Sequence, residues 1–132
     1  MPGDHLEMIR GVYARWAQGD FTAGPELYDR NVLMVQAEDL PDPGAYLGRE
    51  GIARYMRGFL EAWEDVTISA TALRVEGDTV VADVVQQGAG KGSGARTELR
   101  YFHLWTFRGD RVVRFETVKD RSGLVALGLA PS

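Results

Sequence analysis

"FHLWTFRGDRVVRFE", residues Phe102–Glu116, reads as two apolar strands about a tight turn, yet it carries a histidine and a glutamate. Gly109-Asp110 is a two-residue hairpin signal, because glycine and aspartate tolerate the positive backbone angles such turns need. If the turn is of that kind, Arg108 lies opposite Arg111. Counting back, Phe107 faces Val112, Trp105 faces Arg114 and His103 faces Glu116. Cross-strand partners share a face, with Cβ atoms about 5 Å apart. One face then carries Tyr101, His103, Trp105 and Phe107 with Arg114, Glu116 and Val118. The other carries Phe102, Leu104, Thr106, Val113, Phe115 and Thr117, which is nearly pure core. On the mixed face a carboxylate beside His103 favours the imidazolium and desolvation opposes it. Such a pair works as a proton shuttle near neutral pH. It also serves as a structural or interface hydrogen bond, and both readings stay open.

Upstream, Gly77-Asp78 repeats the signal between Val66–Glu76 and Thr79–Gln87. Here Val75 pairs with Val80 and Ala72 with Asp83. Asp83 interrupts "VVADVV", either as a base pointing into a cavity or as a carboxylate on the solvated side of an alternating strand. Before these strands the period is helical. Leu6, Ile9, Val12, Tyr13 and Trp16 mark a helix over 5–18, started by Asp4 and stopped by Gly19. Ile52, Tyr55, Met56, Phe59, Leu60 and Trp63 mark another over 49–64. A short helix at about 23–30, with Pro25 in its first turn and Leu27 and Tyr28 inward, precedes a brief strand at 32–36. Residues 37–47 read as a loop. Asp120 caps a last short helix over 122–127. Helices first and a meandering sheet after predict one α+β domain over 1–132, with helices covering a strongly curved, mainly antiparallel sheet and a cavity between them.

The chain's 132 residues suffice for one compact core, and its 45% hydrophobic and 26% charged composition is that of a globular domain. A net charge of −4, with no clustered basic footprint, argues against nucleic acid and anionic membrane as partners. No apolar run approaches the roughly 18 residues of a membrane helix. The absence of cysteine removes disulfides and thiolate chemistry. It also fits a reducing cytoplasm, the expected location, as does an N-terminus without the layout of a signal peptide.

Four stretches, "GVYARWAQGDF", "YLGREGIARYMRGFLEAWEDV", "GKGSG" and "HLWTFRGDRVVRFETVKDRSGLVALGL", occur in an order that resembles the SnoaL-like branch of the NTF2-like superfamily, over roughly residues 5–129. The resemblance implies a cone-shaped α+β fold, a homodimer and a pocket at the open end. The superfamily includes ketosteroid isomerases, polyketide cyclases, epoxide hydrolases, dehydratases and non-catalytic binding domains. Its isomerases carry a first-helix tyrosine, an aspartate base and a protonated late-strand acid. Those positions fall near Val12, with Tyr13 one residue off, at Gln36 and at His103, so the trio is not carried over. The hydrolase Asp–Arg–Asp pattern fails at Phe102, two residues after Arg100. The cyclases' last-strand carboxylate points to Glu116 or Asp120, with Thr117 in the equivalent slot.

The expected ligand is a small apolar or polycyclic molecule, handled without a cofactor or metal. If the chain is an enzyme, the chemistry is acid–base: isomerisation, cyclisation, dehydration or hydrolysis. His103 is then acid or base, Glu116 its orienting partner and Asp83 a second base. Tyr13, Trp16, Tyr55, Phe59, Trp63 and Trp105 are candidate walls, although helical aromatic stripes are first of all core. Tyr46 either closes the pocket mouth or anchors its own loop. The alternative is a non-catalytic ligand-binding or dimerisation module. "GKGSGA" has no helix after it and is read as a flexible connection rather than a nucleotide site.

Overall fold

In the computed structural model, which describes residues 2–40 and 42–131, helix α1 (Pro2–Trp16) comes first. A short 3-10 turn (Pro25–Leu27) leads into β1 (Tyr28–Gln36), then β2 (Gly44–Leu47) and α2 (Gly48–Ala62). Four long strands follow: β3 (Trp63–Glu76), β4 (Thr79–Gly90), β5 (Arg96–Arg108) and β6 (Arg111–Val118). Helix α3 (Arg121–Ala126) comes last, its first turn capped by Asp120, whose carboxylate accepts from the Gly123 amide.

The strands form one sheet in the order β2-β1-β6-β5-β4-β3, antiparallel except where β1 runs parallel to β6. This is the expected α+β class. Several boundaries differ from the sequence reading: Trp63, expected in the stripe of the second helix, opens β3 instead, β1 starts at Tyr28 rather than Val32, and β4 runs on to Gly90. The helix expected at 23–30 is a single turn, because Tyr28 onward is extended and pairs with β6. The loop expected at 37–47 contains β2, which pairs with β1 from Leu33↔Leu47 to Gln36↔Gly44; Pro41 lies outside the described residues.

The sheet has two unlike faces. Ile9, Val12, Tyr13 and Trp16 of α1 pack on the inner face, against Val80, Ala82, Val84 and Trp105. The outer face holds a smaller cluster, Val81, Phe102, Leu104 and Val118, covered by Leu124 of α3. Helix α2 buries only Gly51 and Ile52, while Tyr55, Met56 and Phe59 stay half-buried and Leu60 is exposed. A helix with a strong apolar stripe remains incompletely buried because its stripe faces a void rather than packed side chains.

The register of the opening hairpin corrects the expectation. Arg108↔Arg111 and Phe107↔Val112 pair as counted, but a bulge follows, and Thr106 pairs with Arg114. Beyond it His103 faces Thr117 rather than Glu116, and Trp105 faces Phe115 rather than Arg114. One extra residue on β6 turns every later side chain over. Phe115 and Thr117 therefore point to the inner face, and Arg114 and Glu116 point out. The physical reason is the cost of placing two charges against Trp105, which is wholly buried. The β3–β4 register follows the expected count, with Val75↔Val80 and Ala72↔Asp83.

Candidate functional site

A cavity of about 210 Å³ lies between the inner face, the end of α1 and α2. Its walls are apolar: Trp16, Met34, Met56, Phe59, Trp63 and Phe115 among them. Trp16 is fixed by donating its indole N–H to the Ala23 carbonyl at 2.9 Å. Set into these walls are Gln36, Gln86, His103 and Thr117. All four are buried, and His5 is the only other buried polar residue among those described. A protein rarely buries polar groups without partners, so their collection round one void marks it as the candidate site.

His103 is 4% exposed. Its Nδ1 meets the Tyr13 hydroxyl at 2.7 Å, and the Trp105 indole N–H donates to that same hydroxyl at 2.9 Å. The Tyr13 oxygen thus already receives one donor. Its own proton needs an acceptor, and Nδ1 is the one within reach. His103 is then the neutral tautomer protonated on Nε2. Burial pushes this imidazole down from 6.5 to about 3, so it stays neutral at physiological pH. Burial likewise pushes the Tyr13 hydroxyl well above its ordinary 10, so it too is neutral.

Two further pairs line the void. The Tyr101 hydroxyl donates to Gln86 Oε1 at 2.6 Å. Tyr55 shares a hydrogen bond with Gln36, and burial raises its hydroxyl to about 12. Among the described lining residues the only charged side chain is Asp42, on the β1–β2 connection.

Of the residues singled out in the sequence, the structure brings Trp16, Tyr55, Phe59, Trp63 and His103 to the cavity. Tyr13 and Trp105 stand behind His103 as its support. Tyr46 packs on the Tyr55 ring at 5.0 Å and donates to the Asp42 carbonyl at 2.9 Å. Glu116 is on the outer face, opposite Leu104 and bonded to Arg114 at 2.5 Å. The expected His103–Glu116 pair is therefore absent. Asp83 is also on the outer side, between the inward, fully buried Ala82 and Val84. Gln86 was missed, and Tyr101, though counted on the face of His103, was given no role at the site. The available signal was Gln86 falling in phase with Val80, Ala82 and Val84, a polar residue on a core-facing alternation.

The family model of the SnoaL-like domain matches residues 9–115. Among solved structures, an NTF2-like protein from Burkholderia thailandensis E264 is 26% identical, with 93% of this chain and 95% of that one covered and a TM-score of 0.78. An NTF2-like protein of unknown function from Burkholderia pseudomallei K96243 is 16% identical over 94% and 96%, with a TM-score of 0.78. A protein with a ketosteroid isomerase-like fold from Catenulispora acidiphila DSM 44928, in complex with trimethylamine, is 21% identical over 95% of each chain, with a TM-score of 0.73. No curated protein matches the chain.

Proposed function

The chain belongs to the SnoaL-like domain family, and from that premise we propose that its cavity binds a small, largely apolar molecule and promotes cofactor-free proton transfer on it. The observation that carries this reading is the neutral His103, lining an apolar cavity with its Nδ1 capped by Tyr13. The Nε2–H is the edge left for a ligand. A neutral N–H aimed at a carbonyl oxygen strengthens its hydrogen bond as negative charge develops there, which lowers the barrier to enolisation, the α-proton passing to water or to the Asp42 carboxylate on the lining. Tyr13 and Trp105 are positioning residues in this scheme, since they set the tautomer and do not touch the ligand. Isomerisation, cyclisation, dehydration and hydrolysis all pass through such charge on oxygen.

A second reading, a non-catalytic binding module, is favoured by one fact: Asp42 is the sole carboxylate among the described lining residues. Tryptophan fluorescence and proton NMR separate the two, because Trp16 and Trp63 line the void. A simple cyclic ketone, 1-tetralone, should quench the fluorescence saturably. In heavy water its α-protons should exchange faster with protein present, and the gain should vanish in His103→Phe. Quenching without accelerated exchange supports the binding module, and no saturable quenching sinks the pocket reading altogether. The homodimer implied by the resemblance belongs to the same proposal. Light scattering checks it by returning twice the chain mass of 14.6 kDa.

A further inference from the structure

Gln86 is buried to 4% exposure, lines the cavity and takes no part in the scheme just described. Its Oε1 is occupied by the Tyr101 hydroxyl at 2.6 Å, and Tyr101 is itself half-buried. That bond settles which way the amide points. With the oxygen held by Tyr101, the Nε2 amine is the free end, and no described residue accepts from it. The amine opens on the cavity, where an acceptor oxygen of a ligand would meet it.

The register fixes where this donor lies relative to His103. On β4 the residue opposite His103 is Ala82, whereas Gln86 lies opposite Leu99. Gln86 is thus four residues further along the strand, roughly 13 Å at 3.3 Å per residue. Both side chains project from the inner face. His103 sits against the aromatic core, while Gln86 lies between Ile68 and the exposed Leu99, toward the open side. The side chains shorten this backbone offset, since the Tyr101 ring lies 5.2 Å from the His103 ring and its hydroxyl reaches Gln86 at 2.6 Å, so a ring system with an oxygen at each end meets both donors. No cationic side chain is among the described lining residues, so a carboxylate or phosphate would enter without a counter-charge.

We propose that Gln86, oriented by Tyr101, is a specificity-determining residue that reads a second acceptor oxygen, so that the site selects uncharged ring compounds carrying oxygens at both ends. This rests on the pocket reading above. The test compares two probes of like size in fluorescence titrations: 1,4-naphthoquinone, with two opposed carbonyls, and 1-tetralone, with one. Wild type should bind the quinone about five- to tenfold more tightly, the worth of one neutral hydrogen bond. Gln86→Leu should erase that preference, weakening the quinone more than tetralone. Tyr101→Phe frees the amide to rotate and should reduce the preference without abolishing binding. Gln86→Met keeps the length of the side chain without charge and without a donor, so it should erase the preference as well; it serves if the leucine variant does not fold.

Equal loss of both probes in the Gln86 variants would show general damage to the wall and overturn the assignment. So would a wild-type protein that binds both probes alike. In either case the pocket itself stands. If neither probe quenches wild type, the pocket reading fails and this inference fails with it.

Discussion

His103 is the residue on which the chemistry turns, and its environment has a measurable consequence for stability. Burial holds it down to about 3 in the folded protein, against 6.5 as its ordinary value. Between those limits the unfolded chain carries the extra proton. Stability is therefore complete above pH 6.5 and falls as the pH drops toward 3. At pH 4 the loss attributable to this ring is on the order of 3 kcal/mol. Denaturant titrations from pH 7 to pH 4 should show it, and His103→Gln should flatten that part of the slope. Ligand binding, by contrast, should show no inflection near pH 6.5. A histidine beside oily strands was legible in the sequence as something to explain. Its true partner was not, because Tyr13 is 90 residues away and no local pattern joins them.

The β6 bulge decides what the hairpin offers. Adjacent valines, Val112 and Val113, conceal it, since either is suited to the inner slot and composition gives no sign of the extra residue. The charge of Arg114 and Glu116 was the usable clue, because their burial beside Trp105 would be expensive. Deleting Val113 would remove the extra residue and leave Arg114 opposite Thr106 and Phe115 opposite Trp105, with both charges still outward. The expected result is cooperative unfolding in circular dichroism with at most a modest loss of stability, and loss of cooperativity would show that the bulge itself is required. On the other side of the sheet, Gly123 of α3 lets the helix lie close to β6. A Cβ there would stand 2.8 Å from the Val118 Cβ. Gly123→Ala should cost about 1–3 kcal/mol in denaturant titrations, the usual toll of overpacking, with 1-tetralone affinity unchanged. Element types and the two Gly-Asp turns were readable because hydrophobic period and turn chemistry are local. The short β2 and the parallel β1–β6 pairing were not, being set by tertiary partners.

At the level of the whole molecule, the sheet separates two hydrophobic systems. The inner one holds the cavity and the outer one anchors α3. Leu124 is fully buried in the outer cluster, so Leu124→Ala should cost about 2–5 kcal/mol. Because it shares no partner with His103, the Leu124→Ala, His103→Gln double variant should lose the sum of the single losses, within about 0.5 kcal/mol. A larger coupling would mean that the faces communicate through the strands. The α+β plan could be anticipated from the order of helical and strand patterns. The cavity's position needed the register of all six strands.

The parallel pairing of β1 with β6 has a further consequence, for synthesis on the ribosome. Strand β1 has no seat in the sheet beyond its short hairpin with β2 until residues near Val118 have left the exit tunnel. Tyr13 waits equally long for the imidazole it supports. Contacts so distant along the chain pay their loop-closure entropy late and slow folding. The nascent N-terminal third thus exposes the α1 stripe for most of translation, which makes it the segment a holding chaperone would bind first.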